Sequence, residues 1–290
     1  MRILLLGANG QLGFELWRLL NPLHDVIPST RSGLLGGMPV ASCNQAQPGD
    51  CARLVHALGP DLVLNAAAYT AVDLAEQEPE LALRVNQHAV AELAVACRER
   101  AIKLIHYSTD YVYSGLGERP WREQDPAAPA SQYGLSKHLG ELAIAQSGCE
   151  HLILRTQWLY ASRGKNFLRT MLRLGQAGNA LRIVNDQVGA PTPAAWVAVA
   201  TMSLLLKASG LMNIAAAGQC TWFEFAEAIF AARGLQVVVL PCSTAEYASP
   251  APRPAFGVLD LSRALQFGIQ LPHWRDGMRQ VLAELAETPP

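Results

Sequence analysis

The stretch Gly7-Ala-Asn-Gly-Gln-Leu-Gly13 follows directly on a short apolar run, Ile3–Leu6, and opens an amphipathic segment. A glycine-rich turn between a strand and a helix is the context of a dinucleotide-binding fingerprint. We expect Gly7 to permit the tight turn, Gly10 to let the backbone approach a pyrophosphate, and Gly13 to let the helix pack on the strand. The pyrophosphate would then lie at the positive end of the first helix.

Around this turn, apolar runs of strand length alternate with amphipathic helical stretches through residues 1–155. Such alternation predicts a parallel sheet covered on both faces. We therefore predict an α/β fold, a doubly wound parallel Rossmann sheet with a smaller α/β substrate-binding lobe. The predicted strands are Ile3–Leu6, Val26–Ser29, Leu62–Asn65, Lys103–Tyr107 and Leu152–Arg155.

Domain limits follow from the change of pattern after Arg155. We assign residues 1–156 to an NAD(P)-binding domain, to which the chain returns around 181–215, and residues 157–180 and 216–290 to the lobe. Residues 31–50, rich in glycine, proline and polar residues, predict an irregular loop. The other predicted elements are helices at Pro79–Arg100, Asn166–Gln176, Thr221–Arg233 and His273–Ala286, a helix beginning at Pro193, and strands at Leu181–Val184 and Val237–Leu240.

Composition narrows the class of protein. The 290 residues are 50% hydrophobic with a net charge of −1, which provides no broad cationic surface for nucleic acid. The first apolar run is too short for a signal peptide or a membrane span, so we expect a cytoplasmic protein. Six scattered cysteines without a C-x-x-C pair suit a reduced compartment and disfavour a structural zinc site.

A second pattern carries the chemistry. Tyr133-Gly-Leu-Ser-Lys137 stands 24 residues after Thr109. A phenol has a pKa near 10. Lys137, one helical turn on, can place an ammonium close enough to lower that pKa. Thr109 lies just past the fourth strand, where an open sheet holds its ligands, so its hydroxyl can hold a ketone oxygen beside Tyr133. The pattern predicts a ketone reductase that uses hydride from a nicotinamide.

Cofactor choice depends on the end of the second strand, Pro28-Ser-Thr-Arg31, which carries no carboxylate. An acidic residue there would bind the ribose hydroxyls of NADH. Arg31 can instead pair with a 2′-phosphate, and Ser29 and Thr30 can add hydrogen bonds. We therefore favour NADPH and leave NADH open; the alternative is a solvated loop arginine.

The chain resembles the extended short-chain dehydrogenase/reductases, and within that family the reductases of dTDP-linked 4-keto sugars. The resemblance covers nearly the whole chain and implies reduction of the 4-keto group of dTDP-4-dehydro-L-rhamnose to dTDP-L-rhamnose, for bacterial cell-surface polysaccharide such as lipopolysaccharide. The matching stretches are Gly7–Gly13, Asn65–Asp73, Tyr107–Tyr113, Tyr133–Lys137, Arg155–Trp158, Asn185–Thr192 and Arg253-Pro254.

The resemblance also implies functional residues. The catalytic set is Thr109, Tyr133 and Lys137. Besides Tyr133 and Lys137, the cofactor-binding set is Gly7, Asn9, Gly10, Gln11, Leu12, Gly13, Arg31, Asn44, Asn65, Ala66, Ala67, Ala68 and Tyr69. The substrate-binding set is Thr70, Val72, Thr109, Asp110, Tyr111, Trp158, Asn166, Gln187 and Arg253. For Trp158 the alternative is core packing.

Some positions depart from the family pattern. Relatives join two subunits through magnesium held by glutamates; Glu15 is present here, but the partner position is Ala195. We therefore predict no metal, interpret Glu15 as an exposed helix acid, and leave a homodimer open. Gly257 stands where a serine is usual. His106, within an apolar strand, is interpreted as structural.

Two alternative functions stay open. One is another nucleotide-sugar ketoreductase, or a dehydratase of the same fold, although dehydratases carry a glutamate at the position of Tyr111. The other is a noncatalytic NAD(P)-binding regulatory subunit, which the complete Thr109, Tyr133 and Lys137 set disfavours.

Overall fold

A seven-stranded parallel sheet forms the centre of the protein, whose computed structural model describes residues 1–287. The strand order is β7-β6-β5-β4-β1-β2-β3, and every neighbouring pair is parallel. This order confirms the predicted doubly wound Rossmann fold. The strands are β1 (Arg2–Leu6), β2 (Asp25–Thr30), β3 (Ala41–Ser42), β4 (Leu62–Asn65), β5 (Lys103–Thr109), β6 (His151–Thr156) and β7 (Gly210–Asn213).

Helices cover both faces of the sheet. Helices α1 and α8 pack together on one face, while α2, α5 and α6 pack on the other. The helices are α1 (Gln11–Leu20), α2 (Asp50–Leu58), α3 (Val72–Ala75), α4 (Pro79–Leu83), α5 (Ala89–Glu99), α6 (Gln132–Ser147), α7 (Phe167–Gln176), α8 (Ala194–Leu204), α9 (Trp222–Ala232), α10 (Thr244–Tyr247), α11 (Ser262–Gln266) and α12 (Trp274–Glu287).

The strands are apolar along most of their length and polar where they end. Asn65 closes β4, and Thr109 and Thr156 close the paired strands β5 and β6. Because parallel strands end at the same edge of a sheet, these side chains collect at one edge, where open α/β sheets place their ligands.

A smaller lobe has a separate hydrophobic core that includes Phe225, Phe230 and Trp274. Helix α9 begins with the predicted capping box, in which Thr221 and Glu224 bond each other's backbone. Four short strand pairs complete the fold: Leu181–Val184 with Val239–Cys242, Val188–Gly189 with Cys220–Thr221, Thr192–Pro193 with Leu159–Tyr160, and Leu34–Leu35 with Met38–Pro39.

Three elements differ from the prediction. Residues 31–50 are not wholly irregular, because they contain a hairpin and β3, which extends the sheet beside β2. The predicted helix over residues 79–100 is divided by a π-helical turn, Arg84–His88. The strand predicted at Val237–Leu240 lies at Val239–Cys242.

Among the helices of residues 1–287, none is both long enough and apolar enough to cross a membrane. All six cysteines are free thiols in buried positions.

Candidate active site

The glycine turn is built by close backbone contacts. Gly7 has φ of +80°, and a Cβ there would lie 2.7 Å from the Ala67 nitrogen. A Cβ on Gly13 would lie 2.1 Å from the Gly7 carbonyl oxygen, so the first turn of α1 packs directly on the loop. Gly10 caps α1 without a side-chain hydrogen bond, which leaves the first helical N–H groups open to an anion. The turn therefore fits a dinucleotide pyrophosphate.

Replacing Gly13 by Ala should lower both stability and NADPH affinity, because the new methyl group would overlap backbone that cannot move independently. Overpacking of this kind costs about 1–3 kcal/mol. Gly10→Ala is the matched control, since its Cβ would lie 3.3 Å from the Gly7 oxygen. We expect Gly10→Ala to keep the melting temperature and lose mainly NADPH affinity, measured by fluorescence titration; equal melting temperatures for the two variants would contradict this account.

The end of β2 places one exposed arginine after two buried hydroxyl residues. Arg31 is exposed. Ser29 and Thr30 are buried, and the Thr30 hydroxyl donates to the Leu34 carbonyl. The expectation that these two hydroxyls bond a cofactor stays a prediction. Asn44 accepts a hydrogen bond from the Ala46 N–H through its side-chain oxygen, which leaves its amide nitrogen available.

The segment that follows β4 is clamped by Asn86, a residue that the sequence analysis missed. The Asn86 amide accepts from the Tyr69 N–H (2.9 Å) and donates to the Tyr69 carbonyl (3.0 Å) and the Ser136 hydroxyl (3.0 Å). Asn86 lies in the π-helical turn, a feature often found at functional sites. In the sequence, Asn86 is a polar residue at helical spacing between the apolar residues Leu83 and Val90. A polar residue on an apolar helix face was the signal that could have identified it. The clamp fixes the segment of Ala66, Ala67, Ala68 and Tyr69 against α6.

Thr109 and Tyr133 lie together at the edge of the sheet. The Thr109 hydroxyl donates to Asp110 Oδ1 (3.1 Å) and accepts from the Tyr111 N–H (3.2 Å). A hydrogen bond with Thr109 partly offsets the desolvation that raises the pKa of Tyr133. The Tyr111 ring meets the Tyr133 ring edge to face, with centroids 5.5 Å apart.

Helix α6 presents Tyr133 because its first turn docks closely on the segment after β5. Ser131 caps the helix and accepts from the Gly134 N–H. A Cβ on Gly134 would lie 2.2 Å from the Tyr111 carbonyl oxygen. A larger residue would therefore push the helix, and with it Tyr133, away from Thr109.

Lys137 is buried and bonded away from the phenol. Its Nζ donates to the Tyr107 carbonyl (2.6 Å) and lies 3.1 Å from His106 Nε2. Burial lowers the pKa of Lys137 to about 8, and the charge of Glu141 opposes that shift. Burial raises the pKa of Tyr133. The structure thus contradicts the expected lowering of the Tyr133 pKa by Lys137, because desolvation dominates and the ammonium is engaged elsewhere.

Asp110 is a buried carboxyl beside this pair. Burial raises its pKa to about 7, and its Oδ2 has no hydrogen-bond partner among the described residues. A Cβ on Gly257 would lie 2.4 Å from that oxygen. The absence of a side chain at Gly257 therefore leaves room for the Asp110 carboxyl.

Arg253 lies beside Tyr111, on the side of the site where the sequence predicts the substrate. It donates to Asp73 Oδ2 (2.7 Å) and to the Tyr111 hydroxyl (3.2 Å). The guanidinium is thus placed next to Tyr111, one ring away from Tyr133. Thr70 is exposed and Val72 begins α3, both in the segment that leads from Tyr69 to Asp73.

Trp158 and Gln187 belong to one cluster. Trp158 stacks on Trp222 with ring centroids 3.5 Å apart, and its φ of +45° lies in the left-handed region. Gln187 is 3% exposed; it accepts from Trp222 Nε1 and donates to the Thr244 hydroxyl. Packing therefore covers one face of Trp158 and engages both ends of the Gln187 amide.

Asn166 lies by the glycine turn instead. It caps α7 by accepting from the Arg169 N–H, and it donates to Gln11 Oε1 (2.8 Å). Asn9 is exposed at the turn, and Leu12 is buried beneath it. Asn166 therefore connects the cofactor turn to the start of the lobe.

Glu15 differs from its prediction. It is 6% exposed and accepts a hydrogen bond from Arg18 Nη2 at 2.7 Å, so it is not an exposed helix acid. Within residues 1–287, no three His, Cys, Asp or Glu side chains cluster in a way that could hold a metal ion.

Comparison with known proteins extends the likeness over the whole chain. Residues 1–287 match the family model described as the RmlD substrate binding domain. The dTDP-4-dehydrorhamnose reductase of Burkholderia thailandensis is 44% identical, with 95% of this chain and 96% of that protein covered. The dTDP-4-dehydrorhamnose reductase of Escherichia coli K12 is 38% identical, with 99% of each covered. The crystal structure of the Bacillus anthracis dTDP-4-dehydrorhamnose reductase in complex with NADP has a TM-score of 0.91 at 34% identity, covering 98% of this chain and 99% of that one.

Proposed function

The chain belongs to the dTDP-4-dehydrorhamnose reductase family, and from that premise we propose that it reduces the 4-keto group of dTDP-4-dehydro-L-rhamnose to dTDP-L-rhamnose. The observation that carries the proposal is that Thr109 and Tyr133 both contact Tyr111 at the carboxyl edge of the sheet, with Lys137 one turn along α6. The product serves bacterial cell-surface polysaccharide.

Tyr133 is the proton donor in this proposal. Its raised pKa keeps the phenol protonated at neutral pH, so a proton is available when negative charge develops on the sugar oxygen. Thr109 turns its single hydroxyl proton, which points at Asp110 Oδ1 before substrate binds, to that sugar oxygen and fixes the oxygen between the two hydroxyls. NADPH, when bound, supplies the hydride.

Lys137, held by the Tyr107 carbonyl and His106, binds the ribose of the nicotinamide. The glycine turn and the open start of α1 hold the pyrophosphate. The segment from Asn65 to Tyr69 lines the same edge, and Asn44 supplies an amide toward the adenine. These assignments rest on the contacts of the residues and on the family pattern.

Arg31 is the residue we propose to select NADPH, because a guanidinium pairs well with a phosphate. Arg31→Ala should raise the KM for NADPH by up to about fivefold and leave the KM for NADH nearly unchanged. Arg18→Ala, another exposed arginine on the same domain, is the control. Equal increases in both KM values would contradict the phosphate contact.

The substrate side is formed by Asp110, Tyr111, Trp158, Gln187 and Arg253. Arg253 can grip a diphosphate with two N–H groups, and the Trp158 ring, which is partly exposed, can stack on a sugar. Asp110 Oδ2, which has no partner among the described residues, can bond a sugar hydroxyl. Thr70, Val72 and Asn166 flank this region in the proposal.

The test is the absorbance of NADPH on adding dTDP-4-dehydro-L-rhamnose, with NMR of the product. We expect stoichiometric oxidation of NADPH and formation of dTDP-L-rhamnose. Turnover only with another nucleotide keto-sugar would support a different ketoreductase. Loss of water from the sugar without NADPH consumption would indicate a dehydratase, and binding of NADPH with no reaction would support a regulatory subunit.

We also propose a cytoplasmic site of action, since all six cysteines are free thiols and a reducing compartment preserves them. The state of association stays a prediction: a homodimer is open and would be tested by light scattering.

A further inference from the structure

We propose that His106 is a positioning residue for Lys137, and that its imidazole, oriented by Asn65 and Gln45, ends a buried hydrogen-bonded chain that reverses direction when the lysine gains a proton. The inference deepens the proposed function and rests on it only for the role of Lys137. His106 itself touches neither hydroxyl of the Thr109 and Tyr133 pair in any contact described above.

The chain consists of four buried side chains in sequence. Gln45 Nε2 donates to Asn65 Oδ1 (2.9 Å), Asn65 Nδ2 lies 3.1 Å from His106 Nδ1, and His106 Nε2 lies 3.1 Å from Lys137 Nζ. All four residues are at most 6% exposed. Buried polar groups of this kind must find partners within the protein, so each member constrains its neighbours.

The direction of the chain follows from a backbone donor. The Ala67 N–H points at Asn65 Oδ1 (3.3 Å), and an N–H can only donate, so the atom facing it is the oxygen. In the orientation that the structure shows, the Asn65 nitrogen therefore faces His106 Nδ1 and donates to it. A neutral imidazole carries a single N–H, which must then be on Nε2. That proton points at Lys137 Nζ, which accepts it as a neutral amine.

The ammonium form of Lys137 requires the opposite direction. An ammonium can only donate, so His106 Nε2 must accept and Nδ1 must carry the proton. The Asn65 amide then has to turn its oxygen toward His106 and its nitrogen toward Gln45. This reversal breaks the bond from the Ala67 N–H, which at 3.3 Å is the longest of the chain. Gln45 can follow by turning its Oε1 toward Asn65, because that oxygen is buried and has no partner among the described residues.

The charges around Lys137 allow both states. His106 is fully buried, and burial and the charge of Lys137 hold its pKa well below its usual value, so it stays neutral. Burial lowers the pKa of Lys137 to about 8, while Glu141, one turn along α6, favours the ammonium. Glu141 is itself paired with Arg155, and His138 lies 3.6 Å from it. Tyr133 on the same helix is kept neutral by its raised pKa.

The chain restrains a flexible side chain. A lysine loses considerable rotamer freedom when it is fixed, so two bonds to Nζ, from His106 and to the Tyr107 carbonyl, set its position before any ligand arrives. In the ammonium state one N–H remains for the ribose. Losing His106 should therefore affect turnover and its pH dependence more than folding.

The direct test is the tautomer of His106, read from imidazole 15N chemical shifts in the full-length protein without substrate and assigned by the peaks that His106→Gln removes. We expect the Nδ1–H tautomer below about pH 8 and the Nε2–H tautomer above it. In Lys137→Met the tautomer should no longer change with pH. An unchanged tautomer in the wild type, or an imidazolium at neutral pH, would overturn the proposal.

Kinetic variants separate hydrogen bonding from packing. His106→Phe keeps the ring volume without the nitrogens, and His106→Gln keeps a polar group near Nε2 but leaves a gap. If His106 positions Lys137, Phe lowers kcat by roughly tenfold to a hundredfold, as loss of an orienting partner typically does, and Gln recovers most of it. If His106 only fills space, His106→Gln lowers kcat more than His106→Phe, and the proposal fails.

Asn65→Asp gives a pH readout. A carboxylate accepts from His106 Nδ1–H whatever its orientation, which fixes Nε2 as an acceptor and favours the ammonium. The pH at which kcat falls on the alkaline side should rise by about one unit, because stabilisation of the ammonium form raises the pKa of Lys137. An unchanged or lower pH for this fall would overturn the proposed hydrogen-bonded chain. Because the His106 tautomer is measured without turnover, that proposal can hold even if the proposed sugar substrate is wrong.

Discussion

Tyr133→Phe is expected to lower kcat by about 10²- to 10⁴-fold while the protein stays folded, because the change removes the general acid and leaves the ring in place. The ring keeps its edge-to-face contact with Tyr111, so circular dichroism and the melting temperature should match the wild type. The KM for NADPH should change little. Steady-state kinetics with the dTDP-keto-sugar measure the effect.

Tyr111→Phe is the matched control, since it removes a hydroxyl from the neighbouring ring. That hydroxyl accepts a hydrogen bond from Arg253 at 3.2 Å and makes no bond to Thr109, so we expect a higher KM for the sugar and a kcat within about tenfold of the wild type. Similar losses of kcat in both variants would mean that Tyr133 is not the particular proton donor.

Arg155→Met is expected to have the largest effect on stability. Arg155 and Glu141 are buried and form two parallel hydrogen bonds (2.8 and 2.5 Å), and Arg155 also donates to the Tyr113 hydroxyl. Removing one partner of a buried ion pair leaves the other charge uncompensated and costs about 3–5 kcal/mol. Urea unfolding of the wild type and the variant measures the difference.

The pH dependence of the same variant provides a check. The Arg155 hydrogen bond holds the pKa of Glu141 down at about 2 against the effect of burial, while an unfolded glutamate has a pKa of about 4.3. The stability from this carboxylate is therefore present above about pH 4.3 and is lost as the pH falls toward 2. Arg155→Met should lose this acid dependence.

Arg279→Met is the control for charge removal, because the Arg279–Asp276 pair is exposed and such pairs contribute little. A loss of stability in Arg279→Met as large as that in Arg155→Met would contradict the role of burial.

The central fold was predictable because its signals are local. Apolar runs such as Leu62–Asn65 fill buried strands, and the glycine turn needs small residues at fixed backbone positions. β3 was not predictable, since two residues are too few for a periodic pattern, and β7 pairs with a strand more than 50 positions earlier in the chain.

The site was less predictable because its energetics depend on burial and on contacts distant in sequence. Tyr133 and Lys137 are recognisable by spacing, but their pKa values reflect desolvation that only the fold creates. The apolar strand around His106 indicated a structural residue, because its hydrogen-bond partners, Asn65 on β4 and Lys137 on α6, are distant in the sequence. The stacking of Trp158 on Trp222 likewise joins segments far apart in the chain.

Transfer of deuterium from NADPH that carries two deuterium atoms at C4 of the nicotinamide tests the account most directly. If Thr109 and Tyr133 hold the sugar carbonyl at the sheet edge, NMR of the product will show one deuterium on C4 of the dTDP-sugar, and Tyr133→Phe will form that product far more slowly. A product without deuterium, or unlabelled sugar recovered with NADPH unconsumed, would contradict the account.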